Sequence, residues 1–92
     1  MIRRVRITKR AEKQLGRIPE HVVIKLMLWV RAVELDGLDE VRKVRGFHDE
    51  PLKGDREGQR SIRLSRSYRA IYELQVSIGE FVSVEEITKH EY

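Results

Sequence analysis

Two runs decide the fold: Ser61-Ile62-Arg63-Leu64-Ser65, and then Arg69-Ala70-Ile71-Tyr72-Glu73-Leu74-Gln75-Val76. Ile62 and Leu64 alternate with Ser61, Arg63 and Ser65, and Ala70, Tyr72, Leu74 and Val76 alternate with Arg69, Ile71, Glu73 and Gln75. A period of two belongs to a strand, whose successive side chains point to opposite faces. Ser77-Ile78-Gly79-Glu80 then reads as a turn into a third run, Phe81 to Thr88. The pattern predicts three successive antiparallel strands.

Working back from this meander, the period becomes helical. Val22, Val23, Leu26, Met27, Val30 and Val33 follow the three-and-four spacing of one helical face, from Glu20 to Leu35, with Gly37 placed to end the run. Ile24, Leu28 and Leu35 form a second apolar row on that helix. Either the helix packs on two sides, with an earlier helix covering this row, or it leaves a patch for a partner; cover by the earlier helix is the expectation. That earlier helix is predicted from Lys9 towards Ile18, capped by Thr8 and closed near Pro19. Before it, Ile2-Arg3-Arg4-Val5-Arg6-Ile7 suits a strand. Leu38 to Arg45 adds a helical turn, and Gly46 to Pro51 reads as a loop. Trp29 is expected in the core or facing a partner, and His21 at the solvated start of the second helix. The fold class is therefore α+β: an N-terminal strand, a two-helix hairpin, then an antiparallel three-stranded meander, with the helices packed on one face of the sheet.

Ninety-two residues suit one domain, residues 1–92, burying about 65% of the surface of the unfolded chain. No run approaches the roughly 18 apolar residues of a membrane span, and the first twenty residues are charged throughout, so a cytoplasmic protein without a membrane role is expected. Cysteine is absent, which excludes disulfides and thiolate chemistry. Three scattered histidines lack metal-ligand spacing, so no metal and no cofactor are expected.

The net charge of +4 is unevenly placed. Residues 1–45 hold twelve basic and six acidic side chains, residues 46–72 six and four, and residues 73–92 one and five. A small basic chain with its cations at one end suggests a phosphate-bearing partner. Arg3, Arg4, Arg6, Lys9, Arg10 and Lys13 fit a footprint on a nucleic-acid backbone or a solvated surface.

Strand parity extends this to chemistry. If Ile62 and Leu64 face the core, Arg63 points away from it, and Arg69 does likewise beside Ala70 and Tyr72. Two arginines from neighbouring strands then share the uncovered face, near the loop carrying Glu50, Lys53 and Arg56 and near Lys89-His90-Glu91-Tyr92. Cleaving RNA without metal needs a base for the 2′-OH, cations for the charge gathering on phosphorus, and an acid for the leaving 5′-oxygen. Glu, Arg, Lys, His and Tyr fill those roles.

The stretch Glu50-Pro51-Leu52-Lys53-Gly54-Asp55, then Ser61-Ile62-Arg63-Leu64, then Tyr68-Arg69-Ala70-Ile71-Tyr72 and a closing His90-Glu91-Tyr92 resembles the RelE/ParE superfamily of toxins from type II toxin–antitoxin modules. It looks closest to the RelE, YoeB and HigB branches. The resemblance implies a ribosome-dependent mRNA endonuclease that works on the 70S ribosome beside 16S rRNA near the A site, leaves a 2′,3′-cyclic phosphate, and is silenced by a cognate antitoxin, with oligomers arising only through that complex. It implies Glu50 as general base, Arg69 on the scissile phosphate, and His90 or Tyr92 as general acid. Lys53 and Arg63 match cationic positions that hold RNA or the transition state, Arg56 and Lys89 join them as substrate-binding candidates by their expected placement beside that face, and HigB-like relatives add His48 as a candidate in the central loop. Glu91 separates His90 from Tyr92, whereas YoeB carries adjacent His and Tyr near its end. The rival reading is a ParE-like binder of DNA gyrase on the same fold, which has no need of a base and a phosphate clamp. An antitoxin helix or strand is expected to dock at Ile24, Leu28 and Leu35 or along the sheet edges.

Overall fold

The computed structural model describes residues 1–76 and 79–89. Five strands form one mixed sheet in the order β1-β5-β4-β3-β2. These are β1 (Val5–Ile7), β2 (Glu50–Pro51), β3 (Gln59–Arg63), β4 (Tyr68–Gln75) and β5 (Phe81–Lys89). The meander β3-β4-β5 is antiparallel as its alternation predicts, and β1 joins parallel to β5. The fifth strand was not predicted: Glu50 and Pro51 pair with Ser61 and Arg60 at the far edge, inside the segment read as loop.

The helices are α1 (Lys9–Leu15), α2 (Glu20–Asp36) and the single turn α3 (Leu38–Val41). Thr8 caps α1, its hydroxyl accepting from the Ala11 N–H at 3.1 Å. The helix stops at Gly16, short of the predicted Ile18. Gly37 ends α2 at φ +87°, where its N–H donates to the Val33 carbonyl at 2.9 Å; a left-handed residue here turns the chain directly into α3.

Val22, Leu26, Trp29, Val30 and Val33 of α2 are buried against Ile62, Tyr72, Val82 and Val84 of the sheet. Trp29 lies against Tyr72 with ring centroids 5.1 Å apart, so it is a core residue. The second apolar row behaves otherwise than expected: Ile24, Leu28 and Leu35 are 51%, 59% and 59% exposed. The reason is where α1 goes. Instead of crossing α2's outer face, it lies along β5 beyond the end of β1, the Thr8 hydroxyl donating to the Glu85 carbonyl and the Gln14 side chain accepting from the Ile87 N–H. Satisfying an open strand edge decides the position of α1, and the outer face of α2 is left uncovered.

Candidate active site

The sheet face away from the helices is ordered in rows by register. One row runs Arg63-Arg69-Thr88 across β3, β4 and β5, and the next runs Glu50-Ser61-Ile71-Glu86 across β2 to β5. Arg63 and Arg69 share this face, as parity predicts, and the register sets them directly opposite each other. Like charges in that relation disfavour a sheet, so a neighbouring carboxylate matters. Glu50 supplies it from the adjacent row: Arg69 Nη1 donates to its Oε1 at 3.4 Å. Glu50, Leu52, Arg56, Ser61, Arg69, Ile71 and Thr88 line an open pocket of about 280 Å³. Glu50 stays 59% exposed while Arg69 is 23% exposed, so the carboxylate reaches solvent and the guanidinium is held against the sheet.

The structure thus brings together Glu50, Arg56, Arg63 and Arg69. Lys53 is exposed on the loop leading into the 3-10 turn Gly54–Arg56. Lys89 stands apart, lining a separate pocket of about 400 Å³ with Pro19, His21 and the Ser65–Tyr68 turn; its register opposite Tyr68 gives it the parity of Ala70 and Ile87, which face the helices. His48 is exposed, at φ 46°. His90 and Tyr92 lie outside the described residues.

Two acidic residues were missed by sequence reasoning. Glu86 is buried on the open face and binds both Arg10, at 3.1 Å, and Arg56. Simple alternation from Val82 and Val84 assigns Glu86 to the core. The register instead steps past Glu85, so that Ile71 opposes Glu86 while Tyr72 opposes Val84; this bulge turns Glu86 outward. Arg10, proposed for a nucleic-acid footprint, and Arg56 are therefore tied to one carboxylate, and Arg6 of the same footprint lies over the Phe81 ring at 4.9 Å.

The second is Asp49, whose side chain is fully buried beneath the Glu50 loop. Its Oδ1 accepts from Arg60 Nε at 2.6 Å and its Oδ2 from the Tyr72 hydroxyl at 2.5 Å. Arg42 Nε donates to the same hydroxyl at 3.4 Å. Burial, and then the hydrogen bond to Asp49, push the Tyr72 phenol up to about 12, against a smaller opposing effect of Arg42. Burial acts to lower the Arg60 pKa, but Asp49 and, after it, Tyr72 act to raise it, and the net shift is upward. The only sequence signal for this cluster was a polar run between Phe47 and Pro51 whose acidic residues differ in parity.

Chemically, the open face offers an accessible carboxylate and two arginines side by side, a proton acceptor next to an anion cradle. Among the described residues no three His, Asp or Glu side chains converge to hold a metal ion, and no helix is long and apolar enough to cross a membrane.

No protein-family model and no curated protein matches the chain. Solved structures do. The YoeB/ParE toxin from Agrobacterium tumefaciens superposes with a TM-score of 0.72 at 22% identity, over 96% of this chain and 99% of that one. YafQ from E. coli gives 0.71 at 16% identity, over 92% and 90%. The archaeal RelE of the RelE–RelB complex from Pyrococcus horikoshii gives 0.71 at 22% identity, over 97% and 96%. The fold is thus that of RelE/ParE-type toxins along nearly the whole chain.

Proposed function

We propose that this chain, built on the RelE/ParE toxin fold, is the toxin of a toxin–antitoxin pair and acts as a metal-independent endoribonuclease on mRNA at the ribosome. The observation that carries the reading is the Glu50–Arg69 pair, opposite Arg63, on the face that no helix covers. Glu50 takes the proton of the 2′-OH, and the freed oxygen attacks the adjacent phosphorus. Arg69, with Arg63 beside it, stabilises the extra negative charge of the transition state. The 5′-oxygen leaves with a proton from His90 or Tyr92, and a 2′,3′-cyclic phosphate remains. Because Glu50 contacts Arg69 through a single long bond, a phosphate can take the guanidinium and free the carboxylate for the hydroxyl. A gyrase binder has no use for this arrangement, which is why the nuclease is preferred.

The antitoxin is proposed to cover the outer face of α2, where Ile24, Met27, Leu28 and Leu35 are exposed together. Solved relatives include toxins in complex with antitoxins, among them DinJ–YafQ from E. coli. Charged substitutions at Ile24 and Leu28 should abolish neutralisation in a growth-rescue assay; unchanged neutralisation would exclude this surface.

The primary test is primer extension on programmed ribosomes and on naked mRNA. Cleavage with ribosomes that is lost in Arg69→Ala and Glu50→Gln supports the reading. A folded wild type that cleaves neither substrate overturns it.

A further inference from the structure

The segment carrying Glu50 has little backbone holding it. The β2 strand is two residues long, Pro51 has no N–H to donate, and the next rung is a single bond from the Leu52 N–H to the Gln59 carbonyl at 2.9 Å. Upstream, His48 adopts φ 46°, a left-handed conformation unfavourable for a residue with a Cβ. The ladder is thin and the turn is strained, yet Glu50 has to meet Arg69, which stands two strands away across β3.

What remains is the side chain of the preceding residue. Asp49 points the opposite way from Glu50, into the core, and both of its oxygens are occupied, one by Arg60 of β3 and one by Tyr72 of β4. Tyr72 and Arg69 belong to the same strand and lie three residues apart, on opposite faces. The two bonds therefore straddle β3: Asp49 grips β4 beneath the sheet through Tyr72, and Glu50 meets β4 above it through Arg69. Tyr72 is fixed in turn by Arg42 and by the Trp29 ring. Its raised phenol pKa keeps it a donor to Asp49 throughout the neutral range.

We infer that Asp49 is a positioning residue for Glu50: its buried bonds to Arg60 and Tyr72 set the distance between the Glu50 carboxylate and the Arg69 guanidinium. In its consequence for catalysis the inference rests on the nuclease reading; in its consequence for geometry it does not.

The test uses Asp49→Asn, which keeps the shape and places an amide N–H where a donor already points, and Tyr72→Phe, which removes one donor. Two measurements are made on each folded variant. The first is the NMR shifts of the Glu50 carboxyl carbon and the Arg69 Nε–H, on the face that neither substitution touches. The second is single-turnover cleavage on programmed ribosomes, giving the rate at saturation and the half-saturating concentration. In Asp49→Asn both signals should move, the saturated rate should fall about 10- to 100-fold as the base leaves its working position, and half-saturation should change little. Tyr72→Phe should do the same to a smaller degree, and it decides the matter if Asp49→Asn does not fold. In a Glu50→Gln background, Asp49→Asn should cause no further loss of rate, because a residue acting through Glu50 has nothing left to position. Unmoved Glu50 and Arg69 signals, a wild-type rate, or full additivity with Glu50→Gln would overturn the inference. If the wild type cleaves no RNA, the nuclease reading falls, and the NMR shifts alone decide the inference: moved signals support it and unmoved signals reject it.

Discussion

Asp49 and Glu50 are neighbours in sequence, both carboxylates and both paired with arginine, yet they live in different solvents. The Asp49 side chain has no exposed surface and meets Arg60 at 2.6 Å; Glu50 is 59% exposed and meets Arg69 at 3.4 Å. A buried carboxylate depends on its partners, because losing one leaves a charge out of water, whereas an exposed pair contributes little and is readily exchanged for another ligand. One residue step along the chain therefore separates a buried, fully bonded carboxylate from a solvent-exposed one. The chemistry of the side chain does not distinguish them; their solvation does.

The two carboxylates should differ most in activity. Glu50→Gln is expected to lower ribosome-dependent cleavage by about 10²- to 10⁴-fold, the usual worth of a general base, as read by primer extension. Asp49→Ala should act on the fold instead, lowering unfolding free energy by about 1–3 kcal/mol in urea denaturation, because the buried Tyr72 hydroxyl loses its acceptor and Arg60 its carboxylate. A loss under about 1 kcal/mol would mean that water satisfies the cluster and the contrast is false.

A third test uses pH. The Tyr72 phenol titrates near 10.0 in the unfolded chain and at about 12 in the fold. Its neutral form is favoured in the native state, so its contribution is complete below pH 10 and is lost as pH rises towards 12. Two pKa units correspond to about 2.7 kcal/mol. Thermal melts of wild type should lose stability across that window more steeply than those of Tyr72→Phe; parallel curves would count against a buried phenol bound to Asp49. The smallest effect closes the series: Glu50→Gln should change unfolding free energy by less than about 1 kcal/mol, since its ion pair is exposed.

Much of this arrangement was legible in the sequence. The alternation around Ile62 and Ala70 gave the meander and the outward parity of Arg63 and Arg69, because a strand with one buried face repeats every two residues. Thr8 and Gly37 marked helix ends through cap chemistry that is local to a few residues. The parts that were not legible depend on contacts distant in sequence. A strand as short as Glu50–Pro51 exists only because β3 lies beside it. Glu86 faces outward only because of the extra residue Glu85, which no period reveals. The exposure of Ile24, Leu28 and Leu35 depends on α1 following β5, a choice settled by the backbone groups of Glu85 and Ile87. Asp49 is indistinguishable from a loop carboxylate until Tyr72 and Arg60 are brought to it.

The way α1 closes the flank of β5 also bears on how the molecule behaves among its own copies. Beyond β1, the side chains of Thr8 and Gln14 already occupy the carbonyl of Glu85 and the amide of Ile87. The outermost strands are three and two residues long, and one of them carries Pro51. A sheet bordered in this way gives a passing extended chain few rungs on which to grow, so crowding during synthesis should seldom seed edge-to-edge aggregates. On the outer face of α2, by contrast, Ile24, Leu28 and Leu35 are exposed on a helix, where recognition depends on side-chain shape and is correspondingly selective.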